Sequence, residues 1–91
     1  MSLYLTAIIK AKPAFQEEVG ALLSSLVEKT TQEEACIRYE MYQDNKDNNT
    51  YIFQELWKNQ EGLDHHYQQP YMKAFLAIFD KLQEEPILYI S

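Results

Sequence analysis

One cysteine, two glycines, three prolines and one tryptophan in 91 residues remove several classes of protein from consideration. A lone cysteine closes no internal disulfide, which agrees with a reducing compartment. No linker, internal repeat or low-complexity segment is visible, and residues 1–91 read as a single domain. Positive charge is scarce as well: eight Lys and Arg stand against fourteen Asp and Glu, a net charge of −6. Such a surface repels phosphate backbones and anionic lipid, so neither nucleic acid nor a membrane is an expected partner. No apolar run approaches the roughly 18 residues of a membrane span, and the amino terminus has no charged segment followed by an apolar one and a cleavage site. The expected location is the cytoplasm.

What is present is apolar and aromatic: 46% of the residues are hydrophobic and 13% aromatic, enough for a core and too much for a disordered chain. Leu3 to Lys10 reads as a strand apolar on both faces, which calls for cover on both. Pro13 suits a first helical position, and Phe15, Val19, Leu22, Leu23, Leu26 and Val27 recur at helical spacing as far as Thr30. Cys36 to Tyr42 is a second strand, the polar run Asp44 to Thr50 a turn, and Tyr51 to Trp57 a third strand, so these form a hairpin. Beyond Pro70, the residues Met72, Phe75, Leu76, Phe79 and Leu82 make the apolar stripe of one longer helix, and Pro86 to Ile90 supplies a last strand.

The order β-α-β-β-α-β is the ferredoxin-like α+β arrangement, an antiparallel sheet with helices on one face. Strands that are apolar on both sides leave the helix-free face in need of cover. A second copy of the chain is the simplest cover, so a homodimer of face-to-face sheets is expected.

Chemistry-bearing residues concentrate between Tyr51 and Phe75, which hold the only Trp and both His. Tyr51, Phe53, Glu55 and Trp57 share one strand face, so a carboxylate stands among three aromatics. Asn59 suits an N-cap and Glu61 a first turn, so a short helix ending before Pro70 carries His65 and His66 just past the strand end. Adjacent helix positions diverge by about 100° and no second His follows at i+4, which argues against a metal centre. Cys36 lacks a partner motif and reads as a small hydrophobe, and the pairs Glu33-Glu34 and Glu84-Glu85 read as solvated ends of elements. A structural reading stands beside the chemical one: Trp57 as a core anchor, and a His beside the strand Glu as a hydrogen-bonded pair that seats the helix on the sheet.

Four stretches together resemble antibiotic-biosynthesis-monooxygenase domains: Cys36 to Tyr42, Phe53 to Asn59, Glu61-Gly62-Leu63-Asp64-x-His66 and Pro70-Tyr71-Met72-x-x-Phe75. The resemblance covers essentially the whole chain and implies a dimeric α+β barrel. Members of that family include cofactor-independent quinol monooxygenases, heme-degrading enzymes and an isomerase acting on a phosphorylated signal. The family's recurrent strand Glu, Trp and helix His fall on Glu55, Trp57 and His66, which leaves His65 to lean toward solvent near Glu61. The Asn, Trp and His of the heme-degrading members fall at Thr6 or Ala7, at His66 and at Leu76, against that activity. A phosphorylated ligand calls for a Gly-rich loop or a basic cluster, and only scattered Arg38, Lys58 and Lys73 are available.

The resemblance thus implies a monooxygenase that uses no cofactor and no metal on a small aromatic or quinol-type substrate held between sheet and helices. The alternatives are a non-catalytic small-molecule-binding or stress-responsive dimeric module and an isomerase-type member. Oxygenation without a metal or flavin requires a substrate that reacts with oxygen once deprotonated, and hence a dry aromatic pocket, a general base and a donor to the developing phenolate. Trp57, Phe53 and Tyr71 are the expected walls. His66 is the expected base, oriented by Glu55, and Tyr39 or Arg38 the donor, according to which face of their strand looks inward.

Overall fold

In the computed structural model, which describes residues 1–91, strand β1 (Leu3–Lys10) buries Leu5, Ala7 and Ile9 on one face and turns Tyr4, Thr6 and Ile8 to the other. β3 (Thr50–Trp57) follows the same alternation, with Tyr51, Phe53, Glu55 and Trp57 inward. β2 (Cys36–Gln43) and β4 (Ile87–Ile90) complete an antiparallel sheet in the order β2-β3-β1-β4. Leu3 stands opposite Trp57 and Lys10 opposite Thr50 in the central pair. This is the expected α+β arrangement.

Three helices cover the inward face. A 3-10 turn at Pro13–Phe15 leads into α1 (Gln16–Thr30), which buries Val19, Leu23, Leu26 and Thr30. α2 (Gln60–Tyr67) starts as expected at Asn59, whose side-chain oxygen accepts from the Gly62 N–H at 2.8 Å. α3 (Pro70–Leu76) has Pro70 in its first turn.

The long last helix expected from Met72 to Leu82 is not formed. α3 stops at Leu76, and a 3-10 turn at Phe79–Lys81 follows, with Ile78, Lys81 and Leu82 bonding three residues back instead of four. Tertiary bonds win here over helix propagation: the Lys12 N–H donates to Lys81 O at 2.9 Å and the Gln83 N–H to Lys10 O at 2.8 Å, which lays this segment along the end of β1. Leu82 is buried as a result, and Leu76, placed by periodicity in the buried stripe, is exposed.

A β-bulge separates Cys36 from Arg38 and settles which residues of β2 look inward. Tyr39 and Met41 turn toward the helices, and Arg38, Glu40 and Tyr42 toward the open face, where Glu40 Oε1 accepts from Arg38 Nε at 2.7 Å and from the Tyr42 hydroxyl at 2.9 Å. Thr6 and Gln54 bond each other at 3.0 Å on the same face, and around these polar groups it is apolar, with Tyr4 and Tyr89 exposed and Ile8, Ile52, Leu56 and Ile87 only partly covered.

Candidate active site

Between the inward face of the sheet and the helices lies a cavity of about 300 Å³. Ala7, Ile9 and Phe53 form its floor, Leu26 comes from α1, Met72, Phe75 and Leu76 from α3, and Glu85, Pro86 and Leu88 stand on the β4 side. Into this apolar space the chain directs Tyr39, Glu55, His66 and Tyr67. No lysine or arginine lines it.

Glu55 is 7% exposed, and its Oε1 accepts from the indole N–H of Trp57 at 2.9 Å. Burial, together with the charge of Glu33 and against the Trp57 hydrogen bond, pushes its carboxyl up to about 7. A carboxylate so placed exchanges its proton near neutrality.

His66 is 1% exposed and sits in a box of aromatic rings. Trp57 is 4.6 Å away between ring centroids, Tyr67 5.5 Å, Tyr39 5.6 Å and Tyr71 6.4 Å. Its Nδ1 bonds Glu33 Oε2 at 2.8 Å. Burial lowers its pKa, against the pull of Glu33, and so favours the neutral ring. Nε2 has no hydrogen-bond partner in the chain.

The expected Glu55–His66 pair is therefore replaced by two separate ones. Glu55 pairs with Trp57, and His66 with Glu33, which the sequence pattern places in a solvated turn. Its side chain is only 9% exposed and also accepts from the Tyr71 hydroxyl at 2.5 Å. Two close approaches hold that turn in place. The Lys58 N–H donates to Ala35 O at 3.0 Å, and a Cβ built on Gly62 would collide with Ala35 Cβ. Small residues at 35 and 62 were the one available signal that the turn packs on α2.

The remaining expected residues divide. Phe53 and Tyr39 line the cavity. Trp57, fully buried, and Tyr71 stand one layer behind it, each against His66. Arg38 is not in the site at all: the bulge turns it to the helix-free face, where Glu40 holds it. Of the two donors considered for a phenolate, only Tyr39 faces the cavity, and burial beside Glu55 raises its pKa so that it keeps its proton. His65 is exposed, as expected, but it meets Gln69 Nε2 at 2.9 Å and not Glu61. No cluster of three or more His, Cys, Asp or Glu has the arrangement of a metal site.

A family model described as antibiotic biosynthesis monooxygenase matches residues 2–78. An uncharacterized protein of Synechocystis is 37% identical over 78 residues, 86% of this chain, and the chain spans about half of that relative's length, 53%. YcnE of Bacillus subtilis, provisionally named a monooxygenase, is 29% identical over 83 residues, covering 91% of this chain and 87% of YcnE. A crystal structure of an antibiotic biosynthesis monooxygenase superposes with a TM-score of 0.92 at 28% identity, covering 98% of this chain and 95% of its own. No helix is long and apolar enough to cross a membrane.

Proposed function

The chain belongs to the antibiotic biosynthesis monooxygenase family, and from that premise we propose that it is a cofactor-independent monooxygenase acting on a small, uncharged aromatic of the quinol type inside the 300 Å³ cavity. The observation that carries this reading is a pair of buried titratable side chains, His66 and Glu55, in a mostly apolar chamber. Removal of a phenolic proton makes the ring electron-rich enough to reduce oxygen. For a quinol the balance is quinol plus O₂ giving hydroxyquinone plus water: one oxygen atom enters the ring, the other leaves as water, and the substrate supplies all four electrons. The protein then has only to deprotonate, orient and keep water out.

His66 is the base in this account and Tyr39 the donor to the phenolate, while Phe53 packs against the substrate ring. Trp57 and Tyr71 hold His66 from behind. The isomerase-type reading is less well supported, because a phosphorylated ligand would enter a cavity containing Glu55 and Glu85 and no cation. Two such chambers would belong to a dimer joined through the helix-free faces, away from the cavities. The reading is tested by titrating quinols and polycyclic phenols against Trp57 fluorescence, the only indole in the chain. Saturable quenching by neutral phenols, weaker for their phosphate esters, is the expected result, and no response to any of them would refute it.

A further inference from the structure

Glu33 carries a carboxylate, its side chain 9% exposed, that the reaction leaves unused. It sits in the turn between α1 and β2, fixed by the Glu33 N–H donating to Thr30 O at 2.9 Å and by Glu33 O accepting from the Cys36 N–H at 3.1 Å. Oε2 meets both His66 Nδ1 and the Tyr71 hydroxyl, while Oε1 is buried with no partner in the chain. On its far side Glu33 borders a polar depression shared with Lys58, Asn59 and His65, so it separates the buried imidazole from the outside.

We propose that Glu33 is a positioning residue that fixes His66 in the Nδ1–H tautomer, so that the bare Nε2 is presented to the cavity as the base. A carboxylate oxygen accepts and does not donate, so a ring nitrogen 2.8 Å from it must carry the hydrogen. When Nε2 takes the phenolic proton, the imidazolium that forms has its positive charge against the same carboxylate, and the proton returns to the departing hydroxide to form the water of the balanced reaction. Glu55, although in the same cavity, is bound to the Trp57 indole and leaves this role open. The titratable groups facing His66 are Glu33 from the turn, Tyr39 from β2, Glu55 from β3, Tyr67 from α2 and Tyr71 from α3; none is a cation.

The role of Glu33 in turnover rests on the oxygenase reading, but the tautomer does not, and the test uses that difference. Nitrogen-15 NMR of histidine-labelled protein is recorded from about pH 5 to 9, with His65→Ala assigning the two rings. The expected spectrum shows His66 with a protonated Nδ1 and a bare Nε2, and Glu33→Gln shifts it toward the other tautomer and lowers its titration midpoint, since the carboxylate that favours the imidazolium is gone. A proton on Nε2 in the unaltered protein overturns the proposal, and so does a Glu33→Gln spectrum and midpoint identical to wild type. If Glu33→Gln does not fold, the unaltered protein's spectrum decides alone. With a substrate in hand, Glu33→Gln lowers kcat about 10- to 10³-fold with KM little changed. Failure of every substrate to turn over defeats the oxygenase reading and leaves the tautomer result standing.

Discussion

The indole N–H of Trp57 donates to Glu55 Oε1 at 2.9 Å, from two positions further along the same strand face. Strand alternation makes this pair possible, and burial makes it consequential: one hydrogen bond is the only partner of a carboxylate that is 7% exposed.

Glu55 should make the protein less stable as pH rises. Its folded-state value of about 7 lies above the ordinary carboxyl value of 4.5, so the folded state holds the extra proton between those limits. The stability this contributes is complete below the unfolded value and lost as pH climbs through 7, a change of about 2–4 kcal/mol. Glu55→Gln keeps an acceptor for Trp57 and removes the titration. Urea denaturation of the variant should give a flatter pH profile across this range and a more stable protein at pH 8; an unchanged profile would mean that Glu55 titrates normally.

His66 and His65 should separate cleanly in activity. His66→Ala would leave a hole among four aromatic rings and a buried carboxylate with one fewer donor, so its loss of stability would say little about chemistry. His66→Asn places an amide N–H near the position of Nδ1 and deletes Nε2. It should keep the fold and cut oxygen consumption about 10²- to 10⁴-fold, the usual worth of a general base. The exposed His65→Ala should be near wild type, and equal rates in both variants would move the base elsewhere.

Gly62→Ala should displace α2. The new methyl collides with Ala35 at the corner where the turn bearing Glu33 meets the helix bearing His66. Overpacking of this kind costs about 1–3 kcal/mol. Thermal melts should show the loss, and His66 chemical shifts should move with it. A variant as stable as wild type, with unmoved His66 signals, would show that this corner yields freely.

Much of this was legible in the residues. Short apolar and aromatic runs bounded by turn residues mark all four strands within about one residue, and Asn59 before the Gln60–Tyr67 helix is readable as a cap because its chemistry is local. The two failures have non-local causes. The Met72–Leu82 stripe has helical spacing, but the bonds from the Lys12 N–H to Lys81 O and from the Gln83 N–H to Lys10 O break it, and no window of sequence contains both partners. Glu33 looked like any acidic turn residue because the groups that bury it, His66 and Tyr71, lie 33 and 38 positions away. Composition does not decide between Arg38 and Tyr39, because the bulge after Cys36 that sets their facing has no local signature.

The helix-free face should hold the dimer. Ile8 lies there, between Ile52 on β3 and Ile87 on β4, away from the cavity. Ile8→Glu would put a charge between two isoleucines in that interface, at a cost of several kcal/mol when unpaired. Sedimentation at micromolar concentration should show a dimer for wild type and a monomer for the variant. A wild-type monomer at that concentration would contradict the expectation.

The most direct test of the account is oxygen uptake by metal-stripped protein supplied with neutral quinols, compared with buffer and with His66→Asn. The account predicts consumption above autoxidation, one molecule of oxygen per molecule of quinol oxidised, with no hydrogen peroxide accumulating and with the rate lost in the variant. Uptake no faster than autoxidation across the panel, or a rate indifferent to His66, would contradict it.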